Sequence, residues 1–233
     1  MKAFRIIFST LIAVFVNHAA AQDFFSKEAP ESLFDVGVRV GINTSNRTFK
    51  KDAFDIWNVN SWGTGIDLGC VVDLNIRDYI SLQPGIFFES RSGDYAFSQN
   101  YFTALGETDV FTQLGHDRFY NINIPLLVSF KFNLAESVRL IAEAGPYFQY
   151  FFKDSASHKI QVIRPQTSPT DQIDIYNETA NKYDIGLKIG AGILYKRHYS
   201  FNIHYLAGGR KAWDSPWKGG RHKAWTFTIG YTL

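Results

Sequence analysis

One cysteine, one methionine and seven prolines are all that this chain of 233 residues carries of three residue types that often mark special chemistry or special backbone. A lone cysteine, Cys70, excludes an intrachain disulfide, and it lies far from any leader cleavage point where lipoprotein acylation would need it. No stretch reaches the about 20 consecutive apolar residues that a membrane-spanning helix requires. Charge of one sign is also lacking, with 24 Lys and Arg against 22 Asp and Glu, so the basic excess expected of a nucleic-acid partner is absent. Metal catalysis lacks its ligand grammar. Neither His-Glu-x-x-His nor Cys-x-x-Cys occurs, and His116, His158, His198 and His222 show no ligand spacing; no cofactor is expected.

What is present begins with Lys2 and Arg5, an apolar run from Ile6 to Val16 broken only by Ser9 and Thr10, and then Ala19, Ala20, Ala21 and Gln22. That order of charge, apolar run and small residues is a secretory signal peptide, with cleavage expected between Ala21 and Gln22. The run is too short to anchor the chain in a bilayer. The expected organisation is therefore a signal peptide over 1–21 and one domain over 22–233. Losing Lys2 and Arg5 leaves that domain near neutral.

Period two organises most of the domain, the pattern of strands with two unlike faces. Tyr120, Ile122, Ile124, Leu126, Val128, Phe130 and Phe132 alternate with Asn121, Asn123, Pro125, Leu127, Ser129 and Lys131. The same alternation over 34–43, 62–74, 80–89, 138–150, 183–195, 199–206 and 225–233 brings the count to eight strands. Long polar segments at 44–61, 90–118, 153–182 and 209–222 alternate with turns of a few residues at 75–78, 133–137 and 196–198. Short periplasmic turns and long extracellular loops are the signature of outer-membrane barrels. Aromatics gather at both ends of the strands, as interfacial belts require: Trp62, Phe88, Tyr120, Tyr150, Tyr183 and Trp225 at one, Phe34, Phe132, Tyr195, Tyr199 and Tyr231 at the other. The reading is all-β: an eight-stranded antiparallel up-and-down transmembrane β-barrel in the cell outer membrane, with long extracellular loops. A soluble barrel or sandwich also alternates, but here eleven glycines, Gly37, Gly41 and Gly190 among them, lie opposite the apolar stripe. Small residues suit a narrow lumen better than a solvent-facing surface. Pro84, Pro125 and Pro146 fall inside strands, where bulges or locally broken pairing are expected. Trp225, Phe227, Ile229, Tyr231 and Leu233 alternate up to Leu233, so the eighth strand is expected to close on the first around Val36 to Ile42 and to be read by the barrel assembly machinery.

Three stretches carry a family resemblance. Ile80-Ser81-Leu82-Gln83-Pro84-Gly85-Ile86-Phe87-Phe88 with Ser92-Gly93, Tyr120 to Val128 with Ala144-Gly145-Pro146-Tyr147, and Gly37 to Asn43 resemble strands of the PorT-like outer-membrane β-barrel family of the Bacteroidetes. The resemblance implies a barrel architecture over the mature chain, and for its founding member an accessory role in type IX secretion.

On the face opposite the apolar stripe, Asp35, Asp67, Asp73, Glu89, Glu143 and Asp184 stand against Arg39, Arg91, Lys131, Arg139 and Lys188. This balance points to a filled, charge-paired interior rather than an ion-selective pore. Its expected network is Arg39, Asp67, Glu89, Lys131, Arg139, Glu143, Asp184 and Lys188. Ser200, Asn202 and His204 share that face of one strand, which faintly resembles outer-membrane lipid A deacylases; no paired acid or Gly-x-Ser-x-Gly motif accompanies them. The loops offer Tyr101, Phe102, Trp213 and Trp217 near basic residues, candidate contacts for a surface glycan, a protein or lipopolysaccharide. Two functions follow. One is a non-enzymatic barrel with a structural, adhesive or assembly-accessory role through its surface loops; the other is a lipid-modifying hydrolase with a lumen Ser/His site. Expected partners are outer-membrane lipids, lipopolysaccharide and the assembly machinery, with no nucleic acid.

Overall fold

Alternation along each strand dictates what the fold must do with two unlike faces, and the computed structural model shows the answer. It describes residues 25–26, 28–48, 57–102, 108–163, 172–173, 181–213 and 219–233, with side chains over 25–26, 28–46, 61–93, 118–152, 181–210 and 221–233. The described elements are β1 (Phe34–Thr48), β2 (Trp57–Arg77), β3 (Ile80–Phe102), β4 (Thr108–Ala135), β5 (Val138–Ile163), β6 (Gln172–Ile173), β7 (Tyr183–Tyr195), β8 (Tyr199–Trp213) and β9 (Gly219–Thr232). Each long strand pairs antiparallel with the next, and β9 returns to β1 from Gly37↔Thr232 to Thr48↔Arg221. Eight long strands thus close into a barrel. The two-residue β6 lies outside it, against Ile160 and Gln161 of β5.

The faces are inverted relative to a water-soluble protein. Among the described residues, ten apolar and 24 polar or charged side chains are buried. On β7, Ile189 is 53% exposed while its neighbour Lys188 is 3% exposed. An apolar surface that encircles the molecule has hydrocarbon as its stable environment, and closure leaves no backbone edge unpaired there. No helix among the described residues is long and apolar enough to cross a membrane. Aromatic rings rim the band at both ends. Tyr199 packs on Tyr231 (5.4 Å between centroids) and Phe25 on Phe132 (5.2 Å) at the turn end; Tyr205 packs on Trp225 (4.9 Å) and Phe88 on Tyr120 (6.1 Å) at the hairpin end. An arginine at Leu68, Ile124 or Ile189 is expected to cost about 2–4 kcal/mol, against about 0–1 at Tyr199. Urea unfolding of the protein in vesicles measures both, and equal costs would defeat this assignment of depth.

One expectation changes. Segment 90–118, read as a loop, is largely strand, and residues 153–163 of the segment 153–182 continue β5: β3 and β4 stay paired to Phe102↔Thr108, and β4 and β5 to Val110↔Ile163. Beyond the bilayer both faces of a hairpin meet water, so the main-chain ladder persists while the apolar alternation that reveals it disappears. At Pro84 and Pro125 the expected disturbance is locally broken pairing and not a bulge. Pairing pauses after Pro84↔Leu126 and Pro125↔Tyr147 and resumes in the same register at Phe87↔Asn123 and Val128↔Ala144. A proline removes a donor but inserts no residue, so the register has no cause to slip. The shifts fall elsewhere, one of them between Ala207 and Lys211 of β8.

The β7–β8 turn is tight. Lys196 and Arg197 both take positive φ (50° and 60°), and the His198 amide donates to the Tyr195 carbonyl at 3.2 Å. That shape normally selects Gly or Asn. Here Arg197 is tied down by Glu31 and by Asp78 of the β2–β3 turn.

Candidate functional site

Inward positions decide what the barrel can do. Phe87 lies over Gly69, Tyr147 over Gly186 and His204 over Gly190. A Cβ on Gly186 would stand 2.8 Å from the Tyr147 ring, and one on Gly190 would stand 2.8 Å from Cγ of His204. These three glycines are therefore seats for rings that fill the lumen.

Glu143 of β5 is held between two strands on the other side of the barrel. Its Oε1 lies 3.2 Å from Nη2 of Arg39, and its Oε2 lies 2.5 Å from Nε2 of His204. A second cluster centres on Glu89, which pairs with Arg91 at 2.6 Å and accepts from Asn123 at 2.7 Å. Gln149 bridges this pair at 3.4 Å on each side. Asp67 accepts from Asn43 at 2.6 Å, and Asp184 accepts from the Tyr147 hydroxyl at 3.2 Å and from the Arg210 amide at 2.9 Å. Lys188 is buried with its ammonium 4.7 Å from the Phe87 ring centroid. Such a lumen is held by charge-assisted and neutral hydrogen bonds in a region with little solvent.

Arg39, Asp67, Glu89, Lys131, Glu143, Asp184 and Lys188 all lie inside the barrel wall and are buried. Arg139 is apart from them. It reaches the turn end and donates to both oxygens of Asp78, at 3.0 and 2.7 Å. Lys131 donates to Asn75 at 3.1 Å rather than to an acid. Among the described residues, only Glu89 and Glu143 of the lumen acids have a cation within salt-bridge distance, so much of the expected charge pairing is replaced by neutral donors. Asn43 and Gln149 were not singled out from the sequence; inward parity on their strands was the signal that could have found them.

The Ser/His reading changes in one respect. His204 does have an acid, Glu143, brought across the barrel by a fold that the sequence alone does not lay out. Among the described residues no hydroxyl is hydrogen-bonded to His204; Thr226, its inward neighbour on β9, leaves its own hydroxyl without a partner. Ser200 stands four residues away on the same strand, about 13 Å along it, and its hydroxyl accepts from Asn202 at 3.1 Å. His204 turns Nε2 to the acid, and its Nδ1 has no hydrogen-bond partner among the described residues. A nucleophile–base–acid relay needs a hydroxyl within reach of the histidine.

The lumen is narrowed by side chains at the hairpin end and widens into a polar cavity at the turn end. At the hairpin end Phe119, Phe151 and His222 pack ring on ring, with centroids 4.8–5.4 Å apart. Below them sit buried Leu206, Ala224 and Tyr147. At the turn end a polar cavity of about 200 Å³, lined by Asp73, Gln83, Lys131, Arg139 and Ser200 among others, reaches up to Arg39. No metal-ligating cluster occurs among the described residues. Of the candidate loop contacts, Tyr101 and Phe102 pair through their backbone with Asp109 and Thr108, and Trp213 with Gly219; their side chains, all of Trp217 and the cleavage residues Ala21 and Gln22 lie outside the described residues.

At the turn end Asp78 is a titratable lock. Burial pushes its carboxyl up, but hydrogen bonds from Arg139 and Ser26 and the charges of Arg139 and Arg197 hold it below its ordinary value. A depressed folded-state pKa adds stability that is complete above the unfolded value, about 3.9, and is lost as pH falls through the folded one. The stability gap between wild type and Asp78→Asn is expected to be constant from pH 8 to 5 and to shrink below about pH 4. A gap that closes near neutrality in pH-stepped urea titrations would contradict this.

Comparison with known proteins places the fold. The model of the family described as outer membrane protein beta-barrel domain matches residues 20–208. Among solved structures, OprG from Pseudomonas aeruginosa covers 88% of this chain and 98% of its own at 12% identity, TM-score 0.41. The attachment invasion locus protein Ail of Yersinia pestis covers 87% and 100% at 12% identity, TM-score 0.38. Neisserial surface protein A covers 85% and 97% at 8% identity, TM-score 0.36. No match is found among curated proteins.

Proposed function

The chain belongs to the outer membrane protein β-barrel domain family and resides in the outer membrane, and from that premise we propose that it is a non-enzymatic barrel whose work is done by its surface hairpins. The observation that carries this reading is the occluded lumen. Side chains fill it from the Phe119–Phe151–His222 rings to the Arg39–Glu143 pair, and among the described residues no hydroxyl is hydrogen-bonded to His204, the buried Thr226 opposite it on β9 included. A filled eight-stranded barrel is a rigid stake in the membrane, suited to holding extended hairpins above it. The role is structural, adhesive or accessory to assembly. The signal peptide over 1–21 delivers the chain to the barrel assembly machinery, and the hairpins meet a surface glycan or a protein.

Two measurements test it. In planar bilayers the refolded protein is expected to show no steady conductance. Cells expressing the protein or its Ser200→Ala/His204→Ala variant are expected to have identical lipid A profiles by mass spectrometry. A lipid modification lost in the variant while the barrel still folds would replace this reading with the hydrolase.

A further inference from the structure

At the hairpin end, cations gather on one sector of the barrel without acids to match them among the described residues. Lys182 precedes β7, Arg210 lies on β8, and Lys223 and Arg221 lie on β9; Lys182 and Arg221 are exposed, the other two half-buried. Among the described residues no carboxylate lies within 4.0 Å of the charged group of any of them, and no acid is exposed at this end of the barrel. The turn end differs, since Arg139 and Arg197 there are bound to Asp78 and Glu31.

Height and direction are specified too. Trp225 belongs to the aromatic rim, and Lys223 and Arg221 follow on the same outward face, about 7 and 13 Å further along the strand. That is the level of lipid headgroups. Arg210 reaches the same level through a break in the ladder. Even-numbered residues of β8 from Ser200 to Gly208 face inward or are buried, so an unbroken strand would send Arg210 inward. The register shift between Ala207 and Lys211, at Gly208-Gly209, instead sets its guanidinium 3.9 Å from the ring centroid of outward-facing Tyr183. Its amide is fixed by Asp184 at 2.9 Å. Bulges re-aim side chains in this way, and the aromatic face holds the cation in place. Directly below lie the apolar tracks of Ile185 and Leu187, Ile203, and Phe227 and Ile229.

We propose that Arg210, Arg221 and Lys223, with Lys182 at the edge, form a site for the phosphate groups of an outer-leaflet glycolipid whose acyl chains lie along β7–β9. Charge complementarity supplies the phosphate half and continuity with the apolar band supplies the lipid half. The inference rests on the outer-membrane placement of the barrel and is independent of whether the lumen is catalytic.

The test uses the refolded mature chain in detergent, titrated with bis-phosphorylated lipid A, with dephosphorylated lipid A and with inorganic phosphate, and read by tryptophan fluorescence and native mass spectrometry. The phosphorylated lipid is expected to bind best. Arg210→Gln/Arg221→Gln/Lys223→Gln should weaken it about 100-fold, from about fivefold per cation near an anionic headgroup, while Arg221→Lys/Lys223→Arg stays near wild type. Heat-modifiable migration confirms folding of each variant before titration. If the triple variant does not fold, Lys223→Gln and Arg210→Gln each carry the test at about fivefold. Equal binding by the neutralised variants would overturn the proposal, as would equal binding of dephosphorylated lipid A. Displacement of the lipid by millimolar inorganic phosphate would also overturn it, marking a free-anion site.

Discussion

Glu143→Leu is expected to destabilise the barrel by about 3–5 kcal/mol, the cost of leaving a buried charge unpaired. Glu143 stands between Arg39 and His204, all three are nearly inaccessible to solvent, and no other carboxylate among the described residues lies within 4.0 Å of Arg39. Removing the acid therefore strands a guanidinium in the lumen. Glu143→Gln keeps an acceptor for Arg39 and should cost less. The double variant Arg39→Met/Glu143→Leu should recover most of the loss, because a buried pair replaced by apolar side chains is often close to neutral. Urea unfolding of the three variants in vesicles separates these outcomes. A single Glu143→Leu variant within 1 kcal/mol of wild type would show that the cluster holds nothing together.

A larger effect is expected at the seam. Deleting Tyr231 to Leu233 removes the Gly37↔Thr232 and Val38↔Tyr231 pairs with β1 and the Tyr199↔Tyr231 pair with β8. It also removes the amide of Thr232 from the His198 carbonyl (2.8 Å) and that of Leu233 from the Val36 carbonyl (2.9 Å). The seam between β9 and β1 is thereby left open at the edge of the apolar band, with backbone groups of Val36 to Val38 unpaired on a barrel that has to close. The truncated chain is expected to give no heat-modifiable species in the outer membrane. Tyr231→Ala, which keeps the ladder and loses only ring contacts with Tyr199 and His198, is expected to give one. Normal folding of the truncation would mean that closure does not depend on this part of β9.

The strands were legible because the bilayer imposes a two-faced pattern that propensity alone does not. Val36 to Ile42 and Tyr183 to Tyr195 alternate so strictly that their faces followed directly. The outer parts of β3, β4 and β5 were not legible, since Asp94 to Phe102 and Thr108 to Asp117 no longer separate lipid from lumen and carry no period. Inward charges could be named, but their partners could not. Glu143 meets Arg39 and His204 only because β5, β1 and β8 share one narrow lumen, and Arg139 meets Asp78 because two turns are adjacent at one end. The outward turn of Arg210 depends on a register shift with no motif beyond Gly208-Gly209 to announce it.

Cys70 offers the most direct test of the central claim that the apolar face of this barrel meets lipid. It is exposed on β2, facing outward between Val38 of β1 and Ile86 of β3, which are both 54% exposed. Because the chain holds one cysteine, a nitroxide can be attached there without other changes, and the labelled protein refolded into vesicles. Power-saturation spectroscopy then compares relaxation by lipid-dissolved oxygen with relaxation by a water-soluble nickel chelate. Strong relaxation by oxygen and little by nickel is the result expected of a side chain in the hydrocarbon core; the reverse would place the apolar face against water or protein and contradict the account.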